Sequence, residues 1–227
     1  MTPNMLLMLF AQEQNNPWES APANPAPQVL SLFEDNPFGR FAEMFFEQTL
    51  EWEPYARPKL LDYLAADPKA GVEARGHDPA YFQGSLARHP TANGVTFRLN
   101  PGHVSSPEAL ARALEYLGRW QSALPRFTRA SATADLRPSE FFLNRGIEFL
   151  PECFGSHVAW YTLIAPRAYA PFFDAEDLRG VPAHRVEERD DGSFALTAYP
   201  DPFDFEGAEA TRRIKEVTDY LNARRKR

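Results

Sequence analysis

Twenty-one prolines stand against twelve glycines in this 227-residue chain. Proline fixes φ and removes a backbone donor, so it is excluded from helix interiors and central strands. A chain punctuated this often folds into short elements joined by rigid turns and long connections. Hydrophobic residues make up 44% and aromatics 13%, which suffices for a sizeable core and excludes global disorder.

Residues 12–28, QEQNNPWESAPANPAPQ, are rich in Gln, Asn, Pro and Ala. The expectation is a flexible or extended N-terminal segment over 1–28, followed by a single domain over 29–227. The apolar run Leu6–Ala11 is shorter than the ~7–15 residues of a signal-peptide core and follows no positive charge. A cytoplasmic location is expected, or a periplasmic one if that run acts as a signal. No stretch approaches the ~18 apolar residues of a membrane-spanning helix.

The periodicity predicts the elements. Phe41, Phe45, Phe46 and Thr49 suggest a helix over 38–50, and Lys59–Ala66 a second, with Pro58 in its first turn. The stretch PKAGVEARGHDPAYFQG reads as irregular. Val95, Phe97 and Leu99 alternate as in a half-buried strand over 94–100. In SSPEALARALEYLGRW, Ser105 and Glu108 fit a capping box and Leu110, Ala113, Leu114, Leu117 and Trp120 form a helical stripe. A weaker strand is expected over 126–136, and HVAWYTLIA (157–165) reads as a central strand. The last helix buries Ala210, Ile214, Val217 and Leu221. The order of these elements predicts an α+β fold, an antiparallel sheet with helices packed mainly on one face.

The segment AHRVEERDDGSFALTAYP is a hairpin with an arguable register. A three-residue loop, Asp190-Asp191-Gly192, sets Val186 opposite Leu196 and His184 opposite Ala198, keeping apolar residues together. It also puts Gly192 at the left-handed position of a type I turn plus bulge.

The formal charge is −7, and Arg224–Arg227 supply +4, so the remainder stands at −11. An acidic body repels phosphate backbones and argues against direct nucleic-acid binding. Cys153 is the only cysteine, which excludes an internal disulfide and a Cys-rich metal site. Cys153 and His157 are four apart, a distance at which a thiolate and an imidazole could make a nucleophile–base pair, but no third orienting group lies nearby in sequence. The histidines 77, 89, 103, 157 and 184 show no metal-ligand spacing. There is no phosphate loop, dinucleotide fingerprint or nucleophile elbow, so neither catalytic residues nor a cofactor or metal are expected.

The carboxylates concentrate beside aromatic residues after the Trp160 strand. Asp174, Glu176, Asp177, Glu187, Asp190 and Asp191, with Phe172 or Phe173 as an anchor, suit an acidic face for a basic protein partner. A solvated surface and core packing are the ordinary uses of such residues.

From roughly Leu143 to Asn222 the chain resembles bacterial type VI secretion and polymorphic-toxin immunity proteins, in particular the immunity protein 52 family and its relatives. The resemblance is carried by VAWYTLIAPRAYAPFF, by VEERDDGSFALTAYPDPFDFEG and by EATRRIKEVTDYLN. It implies an α+β fold, no catalytic activity, and neutralisation of a cognate toxin, often a nuclease. Two alternatives stay open: a hydrolase using Cys153 or a carboxylate cluster, and a non-catalytic adaptor protein.

Overall fold

The computed structural model describes residues 8–14, 26–46, 49–66, 71–76, 82–89, 92–100, 104–123, 127–134 and 159–226. The fold is α+β, with antiparallel sheets and helices. The chain divides into two compact units, Met1–Phe127 and Thr128–Arg227, where the sequence pattern suggested one domain over 29–227.

In the first unit the sheet comprises β1 (Met8–Gln14), β2 (Glu43–Phe46), β3 (Trp52–Pro54), β4 (Val72–Arg75), β5 (Phe82–His89) and β6 (Ala92–Leu99), in the spatial order β3-β2-β4-β5-β6-β1. Three helices accompany it: α1 (Ala26–Glu34), α2 (Arg57–Ala66) and α3 (Pro107–Ala123). The register keeps one face apolar. Phe46 lies opposite Val72, Val72 opposite Leu86, and Leu86 opposite Val95, and all four are buried. Phe97, expected on the inner face with Val95 and Leu99, meets the rings of Phe33, Phe38, Phe82 and Tyr116 at centroid distances of 5.3 to 6.1 Å. Gly84 lies opposite Phe97. A Cβ there would come within 2.8 Å of the Phe33 ring, so only glycine leaves room for it.

Several local expectations are corrected here. Residues 43–46 form strand β2, not the middle of a helix, with Met44 and Phe46 inward and Glu43 and Phe45 less buried. The stretch read as irregular supplies β4 and the start of β5. Ordered structure begins before Val29: β1 pairs with β6 through the register Leu9–Phe97 to Gln14–Ala92, and α1 starts at Ala26. The cap of α3 is Ser106, not Ser105. Pro107 occupies the first helical position, and the Ala109 amide donates to Ser106 Oγ at 3.2 Å.

The second unit has β7 (Phe127–Thr133), β8 (Tyr161–Ile164), β9 (Arg185–Glu188) and β10 (Phe194–Thr197), in the order β7-β8-β10-β9. All of β8 is buried, as are Phe194, Ala195 and Leu196 of β10. β8 ends where Pro166 opens α4 (Pro166–Tyr169), with Ala165 still extended. The helices α5 (Ala175–Arg179) and α6 (Ala208–Arg224) follow. Ile164, Phe194 and Leu196 from the sheet pack in one cluster with Tyr169, Phe173, Leu178, Val217 and Leu221 from the helical side. The hairpin takes the expected register: Val186 lies opposite Leu196, and the His184 amide donates to Ala198 O at 3.2 Å. Gly192 has φ of +77°, the left-handed conformation that the turn requires.

Candidate functional site

The candidate surface is assembled from the α4–α5 connection, α5, the edge strand β9 and its loop. Capping positions α5. Asp174 is its N-cap, and its amide donates to Asp177 Oδ2 at 3.0 Å, the returning half of a capping box. The next residues build a charge ladder. Arg179 bridges two elements, donating from Nε to Glu188 Oε2 at 2.7 Å and from Nη2 to Glu188 Oε1 at 3.0 Å, and it pairs with Glu176 as well. A forked pair of this kind fixes geometry as well as charge. The Arg179 hydrogen bonds hold the Glu188 carboxyl below its ordinary range and push the guanidinium up. Glu187 pairs with Arg185 on its own strand.

The hairpin loop is built differently. Asp191 Oδ1 accepts hydrogen bonds from the Ser193 amide at 2.9 Å and the Ser193 hydroxyl at 2.6 Å. Desolvation acts to raise the Asp191 carboxyl, but those hydrogen bonds outweigh it and leave it lowered. Ser193 itself is fully buried. From below, the Tyr169 hydroxyl donates to Gly192 O at 3.0 Å. The loop is therefore clamped to α4.

Of the residues expected to meet a partner, six are carboxylates, and five of these six are engaged within the chain. Asp174 meets Lys226 Nζ at 2.7 Å, Asp177 meets Arg224 at 3.4 Å, Glu176 and Glu187 are paired with arginines, and Asp191 serves the turn. Asp190 is exposed at the loop tip and makes no ion pair among the described residues. The face expected to be acidic is corrected to one of nearly balanced charge. The elements that form it carry seven acids (Asp174, Glu176, Asp177, Glu187, Glu188, Asp190 and Asp191) and, with the end of the chain, six cations, namely Arg179, Arg185, Arg189, Arg224, Arg225 and Lys226. The anchor is corrected too. Phe173 is 2% exposed and belongs to the core, so its ring is not presented to a partner; Phe172 is half-buried, with the Arg225 guanidinium 4.9 Å above its ring.

Those cations were the part that sequence reasoning missed. Arg224 and Lys226 lie 47 and 52 residues from the acids they meet. The signal was present in the basic run 224–227, which enters the sequence argument only as +4 of net charge. Cys153 and His157 lie outside the described residues, as do His77 and His103. His184 is exposed at the foot of β9. Among the described residues no group of His, Cys, Asp and Glu is arranged to hold a metal ion, and no helix is long and apolar enough to cross a membrane.

No protein-family model matches the chain, and no curated protein matches it.

Proposed function

We propose that this chain is a non-catalytic binding protein of the immunity type, which neutralises a cognate secreted bacterial toxin by covering it with the surface formed by α5, β9 and the 190–192 loop. One observation carries the reading: a capping box, the forked Arg179–Glu188 pair and the Asp191–Ser193 turn set α5, β9 and the 190–192 loop side by side, and these elements present an exposed band of opposed charges with a half-buried aromatic ring at its margin. Preorganised side chains reduce the entropy lost on association, and an aromatic ring is a favoured anchor. The near-balance of charge gives specificity through matched pairs more than through long-range attraction. A basic toxin cleft, such as that of a nuclease, suits the carboxylates that face solvent at Asp174, Glu176 and Asp190.

The test is affinity capture, identification of the captured toxin, and co-expression of the two proteins. Neutralisation of the toxin is the expected result. Charge reversal at Asp174, Glu176, Asp177, Glu187, Asp190 and Asp191 should slow association and speed dissociation. Unchanged affinity and salt dependence would remove this face from the interface. A chain that captures and neutralises no toxin would remove the function itself.

A further inference from the structure

The last residue of α6, Arg224, and the two residues after it lie against the α4–α5 connection and the start of α5. The Lys226 amide donates to Phe172 O at 2.9 Å. Its ammonium donates to Asp174 Oδ1 at 2.7 Å and to Ala170 O at 3.3 Å. Arg224 Nη1 lies 3.4 Å from Asp177 Oδ1, and the Arg225 guanidinium sits over the Phe172 ring. Ala170 and Phe172 follow a helix of four residues, where carbonyls lack helical partners and stay open to outside donors. Three consecutive residues thus make three different kinds of contact: ion pair, cation over an aromatic face, and main-chain hydrogen bond.

We propose that residues 224–226 form a tethered basic strap, an internal ligand that covers Phe172, Asp174 and Asp177 and that a basic partner displaces. The proposal rests on the reading of this face as the partner surface and adds its regulation. With the strap docked, seven acids face six cations. With its three cations withdrawn, seven acids face three, and the surface becomes strongly acidic. The site then takes an extended basic peptide segment: an arginine over Phe172, an ammonium between Asp174 and Ala170 O, and a backbone N–H on Phe172 O.

The hold is light. The side chains of Lys226 and Asp174 are 40% and 73% exposed, and exposed pairs of this kind contribute little to stability. What keeps the strap in place is its tether, which sets an effective concentration on the order of millimolar. A free basic segment at lower concentration does not compete with it. A strap docked about nine-tenths of the time lowers the apparent affinity of a competitor about tenfold.

The probe is a fluorescent peptide with the sequence of residues 222–226, titrated into the full chain. Comparison is made with a variant carrying Arg224→Ala, Arg225→Ala and Lys226→Ala. The peptide should bind the variant about tenfold more tightly than the wild type. Adding Asp174→Asn and Asp177→Asn to the variant, which retains side-chain acceptors for the cap, should abolish the gain. A control that removes the same charge at Arg167, Arg212 and Lys215 should show no gain. Equal binding to wild type and variant overturns the strap, as does an equal gain in the control. If peptide binding behaves as expected and no toxin is neutralised, the strap stands and the immunity function fails. If a toxin is neutralised while the peptide results fail, the function stands and the strap falls.

Discussion

The two units solve the same packing problem with different materials. In the first, rings carry the core: Phe33 stacks on Phe41 at 4.5 Å, Phe41 on Phe82 at 5.0 Å, and Tyr116 meets Trp120 edge-on at 6.1 Å. In the second, the helix-side cluster is largely aliphatic, with Tyr169 and Phe194 in one edge-to-face contact at 5.5 Å. Its distinctive investment is at the surface, where charges and a clamped turn hold α5, β9 and the loop in register. A ring-packed core tolerates little change in volume, because large planar side chains fill space that smaller ones leave empty. A surface held by exposed pairs can exchange partners at small cost. The first arrangement suits a scaffold, and the second suits a face that meets something else.

The largest expected effect tests the ring core. Phe97→Ala should destabilise the first unit by about 3–5 kcal/mol, measured by chemical denaturation. Phe194→Ala, which removes a ring with fewer aromatic neighbours, should cost less; an equal or greater cost would break the comparison. Next comes the turn. Gly192→Ala forces a side chain into the left-handed region and should cost about 1–2 kcal/mol in the second unit. Amide exchange at Arg189, whose N–H donates to Ser193 O at 2.9 Å, should accelerate with it.

A smaller effect carries a pH signature. The Asp191 carboxyl is lowered in the folded state, so its contribution is present above the unfolded carboxyl range near about pH 3.9 and is lost as pH falls through the folded value. Asp191→Ala should therefore cost about 1 kcal/mol at pH 7, and the gap from wild type should close in acid. A gap that does not narrow at all as the pH falls below about 3.9 would mean that Asp191 acts through its conformation and not its charge. Smallest of all, Lys215→Ala should leave the denaturation midpoint nearly unchanged, although Lys215 pairs with Asp219 on α6, because both side chains are exposed. A larger loss would show that the surface charges of the second unit are structural.

The legibility of the sequence follows the same division. The hairpin register was readable because only one alignment places Val186 opposite Leu196 while giving Gly192 the left-handed position. Helix α6 was readable from its stripe, of which Ala210, Val217 and Leu221 are buried. In the first unit, β4 and β5 were hidden because the inward positions at Ala74 and Gly84 are small, leaving space that larger rings occupy. Small residues give no apolar alternation to read. The strand β2 was mistaken for a helix because Phe41, Phe45, Phe46 and Thr49 fit a helical spacing, whereas the inward pair Met44 and Phe46 follows a two-residue period over only four residues. At the candidate site the acids were visible, but their neutralising partners were not. Net charge along a segment says nothing of cations that a fold brings back from some fifty residues away.

The clamped loop also bears on chemical ageing. An aspartate followed by glycine is prone to cyclise, though less so than an asparagine followed by glycine, since the glycine nitrogen meets little hindrance in attacking the side-chain carbonyl carbon. The product ring reopens largely to an isomerised backbone. In this fold the Gly192 nitrogen donates its proton to Arg189 O at 2.9 Å, while the Asp191 carboxylate is held by Ser193 and kept ionised, the form least open to attack. The folded chain thus shields the Asp191–Gly192 linkage, which becomes vulnerable when the hairpin opens. Accumulated isoaspartate at residue 191 would then serve as a clock for time spent unfolded.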